Sequence, residues 1–161
     1  MAVNTTQCKI YWDEFVESLA PNDARRDKAS DAFAFAGGGE LGDELLALVL
    51  SSTKQATASL PIEYTATNES LPSAGDLSII LDSKGNPGAI IERTSVKIVH
   101  FQDVTAEFAA REGEGDRSLH YWREAHTWYF SKVCEQLGGK LESTTEVLCQ
   151  ELMLIWPRGQ R

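Results

Sequence analysis

Apolar positions along this chain change period several times, and the changes mark out its elements. In Ile10-Tyr-Trp-Asp-Glu-Phe-Val-Glu-Ser-Leu19, residues 11, 12, 15, 16 and 19 recur at about 3.6 residues, the spacing of a helix with one buried face, and Pro21-Asn22-Asp23 stops it. The stretch from Arg25 to Phe35 is mixed, and Gly37-Gly38-Gly39 reads as a hinge or a close-approach turn. Leu41, Leu45, Leu46, Leu48, Val49 and Leu50 predict a second helix with a broad buried face, and Asp43 and Glu44 near its start complement the helix dipole. After Lys54 the character changes to Gln-Ala-Thr-Ala-Ser-Leu60, small and hydroxyl-bearing and closed by Pro61, which suits a strand.

Further on, Leu71-Pro-Ser-Ala-Gly-Asp76 is a turn into a strand over Leu77–Asp82, and Ser83-Lys-Gly-Asn-Pro87 is a turn before a second strand over Ala89–Val99. Two strands flanking a short Gly/Asn/Pro turn predict a hairpin. Thr105 to Arg111 reads as a short helical turn with Phe108, Ala109 and Ala110 inward. A longer helix is expected from about Ser118 to Leu137, with Asp116 as its cap, Gly138-Gly139 as its stop, and Leu119, Trp122, Tyr129, Val133 and Leu137 as its core face. Val147–Trp156 is largely apolar and reads as a central strand. Strands on both sides of helical inserts, without regular strand–helix alternation, predict an α+β barrel or sheet rather than a doubly wound fold.

Composition narrows the function classes. A chain of 161 residues with 42% hydrophobic content can bury a self-sufficient core, so one domain is expected. A formal net charge of -9 disfavours coating nucleic acid through a broad basic face, while leaving room for a local basic cleft. No run approaches the roughly 18 apolar residues needed to span a bilayer, and Met1-Ala-Val-Asn-Thr-Thr-Gln lacks the regions of a signal peptide. The expectation is a cytoplasmic protein with no membrane partner. Cys8, Cys134 and Cys149 are odd in number and widely spaced, which points to free thiols rather than a disulfide framework or a zinc site. His120 and His126 are six residues apart and fall on different helix faces, so no local metal site is expected.

Candidate chemistry centres on Lys54 and on the Glu112-Gly-Glu-Gly-Asp116 turn. Lys54 is either a cation terminating a helix or a lysine withdrawn from water, able to take a proton from the hydroxyl of Thr57. Residues three apart on a regular strand face opposite ways, so that pairing needs Lys54 on the preceding turn. Thr57 and Ser59 share one strand face and Ala56 and Ala58 the other, either as ordinary strand hydroxyls or as groups beside a ligand. Glu112 and Glu114 are the acidic candidates, either as solvated turn residues or as groups that orient the lysine, share a proton with it or act as the acid for a leaving group. Arg123 and His126 face the same way on the long helix, either fixing the acidic turn or lining a cleft.

Taken in order, Leu45–Leu60, Leu71-Pro-Ser-Ala-Gly-Asp76, Phe101-Gln-Asp-Val104, Phe108-Ala-Ala-Arg-Glu-Gly-Glu-Gly-Asp116 and Trp122-Arg-Glu-Ala-His-Thr-Trp-Tyr-Phe130 resemble the longer bacterial ASCH-domain proteins. The resemblance implies a PUA-like β-barrel of mixed strands with surrounding helices over residues 37–157. Residues 1–36 would be an N-terminal helical segment packed on it within one structural domain. It also implies a cleft for a small nucleoside or single-stranded RNA, with no double-stranded DNA partner. Small relatives hydrolyse cytidine acylated on its exocyclic amine with a lysine, a threonine three residues later and a glutamate, which match Lys54, Thr57 and Glu112. That reading needs no metal cofactor, and Ser59, Glu114 and His126 would line the substrate site. Longer relatives include a metal-dependent ribonuclease with a lysine matching Lys54; there Arg93 and Arg123 would neutralise phosphate and a divalent metal would be required. No tyrosine stands shortly before Lys54, where that ribonuclease has one. A third expectation is a non-catalytic RNA or modified-base binding module.

Overall fold

The computed structural model describes residues 2–159. Along the chain run helix α1 (Thr5–Ser18), strand β1 (Ser30–Phe33), helix α2 (Gly39–Leu50), β2 (Ala56–Ser59), α3 (Pro61–Ala66), β3 (Leu77–Leu81), β4 (Pro87–His100), α4 (Ala106–Glu112), α5 (Leu119–Gln136) and β5 (Glu146–Trp156). The strands are hydrogen-bonded in the order β1-β3-β4-β5-β2. β1 runs parallel to β3, whereas β3 with β4 and β2 with β5 are antiparallel. This is a mixed α+β arrangement, as the pattern predicts, and the expected hairpin is the β3–β4 pair.

Two compact units interleave along the chain: one takes the stretch through Ser52, Gly75–Arg93 and the residues from Met153 on, the other Thr53–Ala74 and Thr94–Leu152. In the first, Asn4 caps α1 by accepting from the backbone N–H of Gln7. α1 buries Cys8 and Phe15, and its C-cap residue Leu19 joins them, with Leu77, Ile79, Leu81 and Ile90, and Trp12 and Trp156 pack around them. The glycine run that leads into α2 is a tight turn, with Gly37, the cap Gly38 and the first helical residue Gly39 all at positive φ.

The buried stripe of α2 is narrower than expected. Leu45, Leu46 and Val49 are buried, but Leu41 and Leu50 are exposed because they fall about a quarter-turn off that stripe. Asp43 does more than complement the dipole: its carboxylate accepts from Ser83 N at 2.7 Å and Ser83 Oγ at 2.6 Å, fixing the β3–β4 turn. β1 has no counterpart in the sequence pattern. It lies in the mixed Arg25–Phe35 stretch and is only four residues long, too short to show an alternation.

The second unit holds every residue of the candidate catalytic set. Its core is Leu60, Val104, Ala109, Trp122, Phe130, Val133, Cys134, Val147 and Cys149. Pro61, read as the end of a strand, is also the first residue of α3, and Glu63 closes a cap by accepting from Leu60 N at 2.9 Å.

α5 begins where expected, but its cap is Ser118, which accepts from Tyr121 N at 3.0 Å. Asp116 instead accepts from Ser118 N at 2.8 Å, holding the turn before the helix. Tyr129 and Leu137 are exposed rather than in the core, because the buried stripe of α5 runs through Trp122, Phe130, Val133 and Cys134. Trp128 is also exposed, with the Lys132 ammonium 3.6 Å above its ring.

Candidate functional site

Lys54 does not terminate α2. The helix ends at Leu50, and Lys54 lies in the extended link that leads into β2. That link is fixed at Gln55, whose N–H donates to Arg111 O at 2.7 Å and whose carbonyl accepts from Leu152 N at 2.8 Å. The C-terminal end of α4 is thereby tied to the residue after Lys54. The glycine at its C-cap brings the backbones closer still. Gly113 adopts φ +73°, and a Cβ there would lie 2.3 Å from Thr53 O and 3.0 Å from Lys54 N. Only glycine lets the chain settle on the Thr53–Lys54 peptide in this conformation. The two residues flanking Gly113, Glu112 and Glu114, are both carried to the lysine.

Lys54 is 3% exposed. Its Nζ donates to Glu114 Oε2 at 3.0 Å and stands 3.7 Å from Glu112 Oε1. Glu112 is 2% exposed; its Oε2 accepts from the Trp122 indole N–H and lies 3.1 Å from His126 Nε2. His126 Nδ1 bonds the Trp122 carbonyl oxygen at 2.8 Å, and the two rings stack 4.0 Å apart at 15°. Glu114 retains 25% side-chain exposure and His126 14%, so the cluster opens to solvent through these two. Burial alone pushes the Glu112 carboxyl up and is the largest single influence, but the His126 bond, the charges of Lys54 and His126 and the Trp122 bond together hold it below the ordinary carboxylate range. A buried charge persists only when paired and hydrogen-bonded, and Glu112 is both.

The sign of the resulting pH dependence follows from linkage. A carboxyl depressed on folding stabilises the native state above its unfolded value of about 4.3, and that stabilisation is lost as pH falls through the folded value. Urea unfolding of the wild type should therefore show stability falling as the solution is acidified below about pH 4, with Glu112→Gln flatter over the same window. Parallel profiles for the two proteins would mean that Glu112 is not the group responsible.

Thr57 and Ser59 belong to a second polar group in the same unit. In the β2–β5 register Thr57 lies opposite Gln150, and Ser59 opposite Leu148. Strand alternation puts both hydroxyls on the Gln150 side and turns Ala56 and Ala58 the other way, as expected. The Gln150 amide is buried and lies 3.4 Å from Ser59 Oγ, which is 3.4 Å from Tyr64 Oη. Neither Gln150 nor Trp122 is among the site residues that the sequence suggests. Gln150 leaves one trace there, as one of two polar residues, with Glu151, in the mostly apolar run Val147-Leu-Cys-Gln-Glu-Leu-Met153.

Arg123 gives donors to a loop rather than to a carboxylate of the acidic turn. Its guanidinium donates to the carbonyls of Phe101, Gln102 and Val104 and lies 5.7 Å from the Phe101 ring centroid, bracing the 101–104 loop. Arg93 lies in the first unit, buried, where it donates to Ser78 Oγ at 2.7 Å; the Ser78 hydroxyl in turn donates to Asp31.

A groove of about 360 Å³ opens beside α4, lined by Val99, Val104, Phe108, Arg111, Cys149 and Glu151 among others. None of Lys54, Thr57, Glu112 and Glu114 lines it. The Cys149 thiol is pushed up to about 12, by burial first and then by the Glu112 charge. Among the described residues, no group of three or more His, Cys, Asp or Glu side chains is arranged to hold a metal ion, and no helix is long and apolar enough to cross a membrane.

A family model for the ASCH domain matches residues 31–155. The solved structure of an ASCH domain from Lactobacillus crispatus JV V101 is 28% identical, with a TM-score of 0.86 over 92% of this chain and 94% of that one. A protein from Enterococcus faecalis V583 is 29% identical, with a TM-score of 0.81 over 94% of this chain and 89% of that one. No curated protein matches the chain.

Proposed function

The chain belongs to the ASCH-domain family, with its PUA-like α+β fold, and on that premise we propose that it is an amidohydrolase removing an acyl group from the exocyclic amine of cytidine or a similar small nucleoside. The observation that carries this reading is Lys54. A lysine withdrawn from water and flanked by two carboxylates, three residues before a strand hydroxyl, is the equipment an amide cleavage needs.

In this reading Lys54 passes a proton along its 3.0 Å bond to Glu114 and then accepts the Thr57 hydroxyl proton. Thr57 Oγ attacks the acyl carbonyl, and the tetrahedral oxyanion collapses with return of the proton from Lys54 to the departing exocyclic amine. Water then cleaves the acyl–Thr57 ester, releasing the carboxylic acid and restoring the hydroxyl, and Glu114 gives its proton back to Lys54. Glu112, held as a carboxylate by Trp122 and His126, orients the lysine rather than delivering a proton. The Gln150 amide, opposite Thr57, lies on the face where the substrate amide would sit. A small neutral substrate also suits a protein of net charge -9 better than a long polyanion does.

Purified protein incubated with N-acylated cytidines is expected to release free cytidine, with and without chelator, and Thr57→Ala should release none. Absence of cytidine from well-folded wild type would overturn the reading. Chelator-sensitive shortening of labelled single-stranded RNA in a parallel incubation would replace it with the ribonuclease.

A further inference from the structure

We propose that Trp122 and His126 are positioning residues: they hold Glu112 by one oxygen and keep a proton on the line between His126 Nε2 and Glu112 Oε2, leaving Oε1 to face Lys54. The inference deepens the amidohydrolase reading but rests on geometry that is independent of the substrate.

Hydrogen-bond valence fixes which atoms carry hydrogens. His126 Nδ1 is 2.8 Å from the Trp122 carbonyl oxygen, which can only accept, so Nδ1 carries a hydrogen. Nε2 is 3.1 Å from a carboxylate oxygen, and without a second hydrogen on that line two lone pairs would face each other where Glu112 has almost no contact with water. The indole N–H of Trp122 can only donate, and it donates to the same Oε2.

That oxygen is thus occupied by two donors from residues four apart on α5, whose stacked rings fix each other's planes. Oε1 is left directed at the Lys54 ammonium, 3.7 Å away. The groups facing Glu112 are Lys54 from the link before β2, His126 and Trp122 from α5, and Cys149 on β5, whose thiol stays neutral at working pH; Glu114 faces it across Lys54. With the proton in place, two cations, Lys54 and His126, balance two carboxylates, Glu112 and Glu114, and the buried cluster is neutral. Withdrawing that proton leaves Oε2 opposite a bare ring nitrogen and frees the carboxylate to turn away from its orienting position.

The test combines nitrogen NMR of the histidine ring, carbon NMR of the Glu112 carboxyl and kinetics. In the wild type, both His126 nitrogens or the Nε2···Oε2 pair should show the second proton at neutral pH. His126→Phe keeps the stack on Trp122 but offers no donor. It should move the Glu112 carboxyl titration up by about one pH unit or more and lower kcat about tenfold with KM within about twofold. His126→Gln, whose amide can donate to Oε2, should restore most of both. A bare Nε2 in the wild type, or an unchanged Glu112 titration in folded His126→Phe, would overturn the inference. The wild-type spectrum needs no variant to fold. The carboxyl titration needs no substrate, so a shifted titration in a protein that releases no cytidine would retain the clamp and reject the amidohydrolase.

Discussion

Lys54→Met is expected to abolish release of cytidine and to destabilise the protein by about 3 kcal/mol, the scale observed when one partner of a buried ion pair is removed. The variant fills the volume of the lysine stem, so lost packing contributes little. What it removes is the cation that faces Glu112 Oε1, while Oε2 keeps Trp122 and His126.

The double variant Lys54→Met/Glu112→Gln separates charge from shape. With the carboxylate replaced by a neutral amide, most of the stability should return, because the side chain at that position no longer demands a counter-ion, but activity should not. Urea unfolding of the wild type, both single variants and the double variant, read as a cycle, measures the coupling. An additive cycle, or a Lys54→Met protein as stable as wild type, would mean that the ion pair stabilises nothing and that the lysine is held by other groups. Lys54→Met that still deacylates cytidine would remove the lysine from the chemistry altogether.

The parts of the fold legible in the sequence are those with a long, unambiguous period. α5, β4 and β5 each run through eleven or more residues, and their boundaries fall within a few residues of expectation. β1 and α3, four and six residues long, carry too little period to be read, whereas the equally short β2 is marked by its small and hydroxyl-bearing composition and by Pro61. Apolar spacing also overstates the width of a buried face. Leucine at 41 and 50 and tyrosine at 129 are apolar enough to suggest the core, yet their faces are set by which stripe the neighbouring strands cover.

At the site, the Glu-Gly-Glu-Gly run is legible as a turn that aims carboxylates, and Glu112 and Glu114 are aimed at Lys54. Of their partners, His126 is legible as a residue that fixes the acidic turn or lines a cleft, and it meets Glu112 of that turn. Trp122 is not, because it looks like one more core aromatic, and nothing in spacing reveals that both converge on a single carboxylate oxygen. Arg123, which the spacing leaves either fixing the acidic turn or lining a cleft, gives donors to the backbone carbonyls of Phe101, Gln102 and Val104, an assignment that needs the fold of the 101–104 loop.

Gly113→Ala tests whether that turn, rather than its carboxylates alone, builds the site. Gly113 occupies the left-handed conformation at the C-cap of α4, where any L side chain costs about 1 kcal/mol. The added methyl would also meet Thr53 O at 2.3 Å and Thr53 C at 2.7 Å, and these are backbone atoms that cannot rotate aside. The segment they belong to is anchored by the bond between Gln55 N and Arg111 O, so relief requires the end of α4 to lift from the link that carries Lys54. The total is expected to reach roughly 3 kcal/mol, the upper range of overpacking penalties, and Glu112 and Glu114 should move away from the lysine together.

Gly138 supplies the control within the same unit. It has φ +78°, but a Cβ there meets nothing within 4 Å, so Gly138→Ala incurs the conformational penalty without the clash. Unfolding free energies and deacylation rates of the two alanine variants, measured side by side, isolate the contribution of close approach. Gly113→Ala should be about 2 kcal/mol the less stable and should lose kcat by at least about tenfold, while Gly138→Ala keeps wild-type kcat. Equal stability and equal rates would show that α4 reaches Lys54 without needing a glycine beneath it, and the Glu112–Glu114 turn would then be a passive carrier of its carboxylates.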